Sequence, residues 1–88
     1  MKHANIKIYG LVQGIFFRAT AKQEADKLNI TGFAKNKEDG SVYIEAEGEK
    51  ENVDKFIKWC KIGPTLAKVE KVLVTEGQIK NYSEFVTY

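Results

Sequence analysis

The sequence predicts one α+β domain in which two helices cover one face of an antiparallel β-sheet. Two apolar patterns predict this fold class: short segments in which apolar and polar residues alternate, and two segments with apolar residues at helical spacing. The segments follow in the order strand, helix, strand, strand, helix, strand. That order is the βαββαβ arrangement of a ferredoxin-like sandwich, and we expect residues 1–88 to form a single domain.

Alternating segments bounded by turn signals predict the strands. In the first of them, Ile6 and Ile8 fall on one face and Lys7 falls on the other. The Asp39-Gly40 pair is a hairpin turn signal between two later strands. The predicted strands are Asn5–Val12, Phe33–Lys37, Ser41–Glu47, Ala67–Thr75 and the short Glu84–Tyr88.

Apolar residues at intervals of three and four predict helices at Ala19–Asn29 and Glu49–Lys61. The second helix ends at Gly63-Pro64, because proline cannot continue a helix. Its apolar stripe is formed by Val53, Phe56, Ile57 and Cys60. On that stripe, the single cysteine is predicted to be a small buried hydrophobe.

Composition argues against several classes of protein. The formal net charge of +2 is too small to indicate nucleic-acid binding, and no apolar run reaches the length of a membrane span. The sequence leads directly into a strand pattern, so no signal peptide is expected. One cysteine fits a reducing compartment. We therefore expect a cytoplasmic protein that binds neither nucleic acid nor a membrane. We also expect a monomer, although an edge strand could pair with a second copy.

The residues that usually carry catalysis are scarce. His3 is the only histidine and is predicted to be a solvated residue at a frayed terminus. Glu45 and Glu47 are predicted to be solvated charges on the exposed face of a strand. No group of cysteine, histidine and aspartate residues has the spacing of metal ligands. The sequence therefore predicts no metal, no cofactor and no covalent nucleophile.

The segment between the first strand and the first helix is the candidate site. Arg18 is the one arginine among fourteen basic residues, and a guanidinium can bind a phosphate through two parallel hydrogen bonds. Just before a helix, successive main-chain N–H groups can converge on an anion, and Gly14 allows the anion to approach closely. The predicted phosphate-binding loop is Gln13, Gly14, Ile15, Phe16, Phe17 and Arg18. The same pattern also fits an ordinary turn with Phe16 or Phe17 in the core.

Asn36, next to the predicted hairpin turn, is the second candidate. Its side-chain amide offers both an acceptor and donors, so it can align a water molecule without giving up a proton. Asparagine is also a frequent turn residue, and that interpretation remains open from the residues alone.

Three stretches of the sequence together resemble the acylphosphatase family. Gly10–Arg18 (GLVQGIFFR) resembles its signature G-x-V-Q-G-V-x-F-R, and Gly32–Val42 (GFAKNKEDGSV) resembles its second motif, G-W-V-x-N-x-x-D-G-S-V. Trp59–Val69 resembles its later W-C…G-P…A-x-V segment. The resemblance implies a ferredoxin-like fold and hydrolysis of acyl phosphates to a carboxylate and inorganic phosphate, without a cofactor.

The resemblance also implies roles for single residues. Arg18 matches the phosphate-binding arginine, Asn36 matches the water-orienting asparagine, and Gln13 to Phe17 match the loop whose amides hold the phosphate. Ile15 and Phe33 replace a valine and a tryptophan. Lys37 stands where a hydroxyl residue is frequent in the family, so the hydrogen bond with which that hydroxyl would support Asn36 is in question here.

Other functional classes share this fold. An RNA-recognition module would need an aromatic motif on a central strand, but Ser41–Glu47 carries only Tyr43 and two acids. A metal chaperone would need two cysteines in its first loop, which has none. A non-catalytic domain that senses phosphate or another small anion would use the same loop, and it is the alternative to an enzyme.

Overall fold

The computed structural model describes residues 1–88 as a five-stranded sheet with two helices packed on one face. The strand order across the sheet is β4-β1-β3-β2-β5. Neither helix is long and apolar enough to cross a lipid bilayer. The elements are β1 (Lys2–Leu11), α1 (Phe17–Lys27), β2 (Thr31–Asn36), β3 (Val42–Gly48), α2 (Lys50–Ile62), β4 (Lys68–Glu76) and β5 (Phe85–Thr87). The predicted α+β sandwich is confirmed.

Strand pairing follows the prediction except at the last strand. β1 pairs antiparallel with β3 and β4, and β2 pairs antiparallel with β3. The short β5 pairs parallel with β2, which makes the sheet mixed. After β4 the chain crosses to the opposite edge of the sheet through Gly77–Glu84, here called the crossing segment. Because β5 starts at the end of the sheet where β2 starts, the two strands run in the same direction.

Side chains between the sheet and the helices form one apolar core of 17 buried residues. α1 packs on β2 and β5, and α2 packs on β1, β3 and β4. Phe17, Phe56 and Phe85 are the largest buried side chains, and each fully buried apolar side chain of this size contributes roughly 1.5–3 kcal/mol. Cys60 is buried as predicted, and burial raises the pKa of its thiol well above the usual value.

The opposite face of the sheet differs from the prediction. His3, Glu45 and Glu47 are 2%, 7% and 2% exposed, so the prediction that they are solvated was wrong. β1 begins at Lys2, which places His3 inside a paired strand rather than in a frayed terminus. The crossing segment lies over these side chains and donates the N–H of Gly77 to the carbonyl of His3 at 3.1 Å.

The Glu47 carboxylate binds the crossing segment to the sheet. It accepts hydrogen bonds from the main-chain N–H of Lys80 and from that of Tyr82, the latter at 3.2 Å. Nδ1 of His3 lies 2.7 Å from the same carboxylate. A buried carboxylate is tolerated here because donors surround it.

Glu45, two residues earlier on β3, completes this polar cluster. It accepts hydrogen bonds from the hydroxyls of Tyr43 and Tyr82, each at 2.7 Å, and from the Lys80 ammonium at 3.1 Å. Burial alone would raise the pKa of both Glu45 and Glu47, but these donors outweigh it and hold each pKa below 4.5.

Replacing Glu47 by alanine tests whether its carboxylate holds the crossing segment on the sheet. We expect Glu47→Ala to lower the free energy of unfolding in urea by about 1–3 kcal/mol, because two main-chain N–H donors of the crossing segment and buried His3 lose their acceptor. Glu70→Ala, at an exposed strand position, is the matched control and should change stability by less than about 0.5 kcal/mol. Equal losses in the two variants would contradict the assignment.

Acid should weaken the same cluster. The folded-state pKa of each glutamate lies below its unfolded value of 4.5, so the stabilisation is present above that pH and is lost as the pH falls through the folded pKa. Urea unfolding measured between pH 7 and pH 3 should therefore show stability falling below about pH 4.5. The decline should be shallower in the Glu45→Gln/Glu47→Gln variant, and an identical decline would count against the cluster.

Candidate active site

The predicted site residues meet at one end of the sheet. β1 ends at Leu11 and β2 ends at Asn36, and both strands finish at this end. α1 begins here as well, two residues earlier than predicted, so that Arg18 lies in its first turn. Val12 is only 1% exposed and anchors the connecting loop in the core.

A glycine at the end of β1 lets this strand approach β4 closely. Gly10 has φ 130°, and a Cβ at this position would lie 2.0 Å from the carbonyl oxygen of Lys68. The pairing register shifts between Tyr9 and Gly10, so the strand has an irregularity just before the loop. No other residue type fits this close contact.

The loop presents a row of free main-chain donors. No hydrogen bond within the protein uses the N–H groups from Gly14 to Ala19, and no side chain caps the start of α1. Gly14 has φ 76° and Phe16 has φ 64°, and left-handed residues that alternate with others form the kind of backbone in which successive N–H groups can converge. The positive end of the helix dipole adds to these donors. Such a row of free donors at a helix start is an arrangement suited to a compact anion.

The two adjacent phenylalanines have different surroundings. Phe17 is 2% exposed, and its ring centroid lies 5.5 Å from that of Trp59. Phe16 is 79% exposed in a left-handed conformation that costs an aromatic residue roughly 1–3 kcal/mol. The N–H and hydroxyl of Thr20 both donate to the Phe16 carbonyl, at 3.0 and 2.9 Å, and hold that conformation. Such strain is typical of a functional loop.

Gln13 connects the loop to the turn between β2 and β3. Its side-chain Nε2 donates to the carbonyls of Lys37 and Ser41, at 2.8 and 2.9 Å. The sequence predicted Gln13 as a member of the loop but gave no indication that its side chain has this bracing role.

Asn36 lies beside that turn with its side chain free. It pairs with Val42 and shares the helix-covered face with Ala34. Its side-chain amide is exposed and makes no hydrogen bond within the protein, which leaves both its donors and its acceptor available to a water molecule. The Lys37 ammonium lies 5.6 Å from the centroid of the Tyr43 ring and makes no hydrogen bond to Asn36.

Asp39 stabilises the same turn. Its carboxylate accepts the hydroxyl and the N–H of Ser41, the latter at 3.0 Å, and lies 3.1 Å from the Lys7 ammonium. The Ser41 hydrogen bonds, followed by Lys7, lower the pKa of Asp39 to about 2. This carboxylate is therefore ionised near neutral pH and is a poor proton acceptor.

Arg18 is held at the end of β5. Its guanidinium donates to the main-chain oxygen of Tyr88, a contact that no sequence signal predicted. One turn further along α1, the Lys22 ammonium donates to the carbonyl of Phe85 at 2.9 Å. These two contacts fix α1, and with it the free N–H groups at its start, against β5. Nowhere in the structure are three His, Cys, Asp or Glu side chains grouped so that they could hold a metal ion.

Comparison with known proteins agrees with this geometry. The sequence profile of the acylphosphatase family matches residues 4–87. The chain is 40% identical over 86 residues to a protein of Methylococcus capsulatus named acylphosphatase, covering 97% of this chain and 94% of that protein. It is 43% identical to the acylphosphatase of Ligilactobacillus salivarius, with both chains fully covered. The crystal structure of acylphosphatase from Bacillus subtilis superposes with a TM-score of 0.97 at 35% identity, over 100% of this chain and 99% of that one.

The ability of the Arg18 guanidinium to donate two parallel hydrogen bonds can be tested separately from its positive charge. We expect Arg18→Lys to raise the Kd of inorganic phosphate at least about tenfold in calorimetric titration, since lysine cannot donate two parallel hydrogen bonds. Lys27→Arg, the reverse exchange at the other end of α1, is the control and should leave the Kd unchanged. An unchanged Kd in Arg18→Lys would exclude Arg18 from the phosphate site.

Proposed function

This chain belongs to the acylphosphatase family, and from that premise we propose that it hydrolyses acyl phosphates in the Gln13–Arg18 loop. Its activity is that of an acylphosphatase, a hydrolase. The substrate in this proposal is a small molecule with a carboxyl–phosphate bond, and the products are a carboxylate and inorganic phosphate.

One observation carries the assignment of the site: the row of unpartnered N–H groups from Gly14 to Ala19. A phosphoryl group has several oxygen atoms, each able to accept hydrogen bonds from such a row. These donors are main-chain atoms fixed by Phe16 and Thr20, so they need no rearrangement during the reaction. Fixed donors directed at developing charge are the strongest general source of catalysis.

Arg18 supplies the full positive charge in the proposed mechanism. In a loose phosphoryl-transfer transition state, negative charge spreads over the non-bridging oxygens of the phosphoryl group. A guanidinium can donate to two of these oxygens at once, while the loop amides donate to the rest. The carboxylate is a good leaving group, so stabilising the phosphoryl oxygens is the main task.

Asn36 positions the attacking water in this proposal. The water forms a bond to phosphorus as the bond between phosphorus and the carboxyl oxygen breaks, and that electron pair leaves on the carboxylate. One proton of the water passes to a phosphoryl oxygen of the substrate. Asp39 is unsuited to accept it, because its pKa is about 2 and its carboxylate is occupied by Ser41 and Lys7. Asn36 therefore contributes by orienting the water.

We propose that the working unit is one domain over residues 1–88, acting as a cytoplasmic monomer without a cofactor. Cys60 is buried without a disulfide, as fits a reducing compartment.

Hydrolysis of benzoyl phosphate in the presence of EDTA tests the activity. We expect steady turnover with the chelator present, and we expect kcat to fall about a hundredfold in Asn36→Ala, because the water loses its orientation. The Ki of inorganic phosphate should stay close to that of the unmodified protein, since Asn36 is outside the phosphate-binding loop.

Asn52→Ala, on α2 and away from the loop, is the matched control and should retain full kcat. Phosphate binding without turnover in the unmodified protein would instead support a phosphate-sensing domain. Loss of turnover with EDTA that zinc or magnesium restores would overturn the metal-independent mechanism.

A further inference from the structure

Four large apolar side chains are exposed in the phosphate-binding loop, at the end of β1 and between the end of α2 and the start of β4. They are four of the nine large hydrophobic residues that the protein leaves exposed, and the exposed fractions are 64% for Leu11, 79% for Phe16, 73% for Ile62 and 72% for Leu66. Single exposed hydrophobics are ordinary, but several at one functional end of a small domain indicate a binding surface.

Backbone contacts place these residues on adjoining segments. Leu11 pairs with Lys68 across β1 and β4, and Leu66 precedes Lys68 by two residues. Ile62 ends α2 immediately before Gly63. A Cβ at Gly63 would lie 2.9 Å from the ring of Phe17 and 3.2 Å from Cβ of Ala67. The end of α2 and the start of β4 therefore meet at the buried ring of Phe17, the residue that follows Phe16 in the phosphate-binding loop.

In-line displacement selects the side of the loop on which the acyl group lies. The attacking water and the leaving oxygen occupy opposite sides of the phosphorus atom. In the sheet, β2 carries Asn36, while β1 and β4 lie on the other side of β3. If the water is held at Asn36, the leaving carboxylate points toward β1 and β4, where Leu11 and Leu66 are exposed.

Two of the four residues occupy positions that the phosphate site itself leaves free. In the signature that Gly10–Arg18 resembles, G-x-V-Q-G-V-x-F-R, the two unspecified positions fall on Leu11 and Phe16. Neither side chain is needed to bury the loop, because both are exposed. Their apolar character is thus a property of this chain and is available to select a substrate.

We propose that Leu11, Ile62 and Leu66, together with Phe16, form an acyl-binding subsite that favours acyl phosphates with an apolar aryl or bulky alkyl group. The proposal rests on the proposed function, and it adds the class of acyl group that this chain accepts. Lys61 and Lys68 flank the subsite, so a negatively charged acyl group is the competing ligand within the same chemistry. Leu11 and Phe16 lie closer to the loop in the sequence than Lys61 and Lys68 do. We therefore propose the apolar acyl group rather than the charged one.

The test compares kcat/KM for benzoyl phosphate, acetyl phosphate and succinyl phosphate, which differ in the size and charge of the acyl group. We expect the unmodified protein to prefer benzoyl phosphate to both. In Leu11→Ser/Leu66→Ser we expect the benzoyl-to-acetyl ratio to fall about tenfold, because the ring loses apolar contact. Comparing ratios between variants cancels both the intrinsic reactivity of each substrate and any change in the loop common to all three.

Leu73→Ser is the matched control, since Leu73 is an exposed leucine on β4 and 46% of its surface is accessible. The subsite is overturned if the double variant keeps the ratio within about twofold, if Leu73→Ser lowers it equally, or if succinyl phosphate is the preferred substrate. Turnover of acetyl phosphate with an unchanged ratio would reject the subsite alone. Absence of any acyl phosphate hydrolysis would overturn the proposed function and the subsite with it.

Discussion

The whole arrangement depends on holding strand β1 by its apolar face and by both of its edges. Its edges pair with β3 and β4, and its apolar face lies under the helices. At His3, near the start of the strand, the crossing segment also covers the polar face, and Glu47 holds that segment through two main-chain N–H groups. A strand held in this way resists shifting along its axis, which fixes the position of Leu11 just before the loop. Catalysis by preorganised donors needs such an anchor.

The contacts that stabilise the fold lie at one end of β1, and the groups of the proposed site follow its other end. At one end, buried His3 has hydrogen-bond partners for both ring nitrogens, within 2.7 and 2.8 Å. At the other end, the N–H groups from Gly14 to Ala19 have no partner, and Phe16 has a strained conformation. Leaving donors unpaired and a residue strained is unfavourable in the free protein. The structure tolerates this because Gln13 and Thr20 tie the loop down without using those donors.

The sequence was sufficient to predict the helices and the main strands, because periodicity and turn chemistry are local. The structure places the candidate residues at one end of the sheet, and their roles stay predictions. It failed for Glu45 and Glu47, where alternation correctly gives the face but not whether that face meets solvent. The crossing segment that covers them has no periodic pattern, so its path could not be predicted. The contact between Arg18 and Tyr88 joins residues 70 positions apart, and nothing in the sequence around either residue indicates it.

We propose that the two ends of the substrate meet chemically different surfaces. In this proposal the phosphoryl end binds main-chain donors and Arg18, which any acyl phosphate would need. The acyl end lies at Leu11 and Phe16, which the proposed anion site does not require. Because β1 supplies Leu11 and leads directly into the loop, a change of acyl preference at this position need not disturb the donors that follow it. Substrate choice can therefore vary on this scaffold while the phosphate chemistry stays constant.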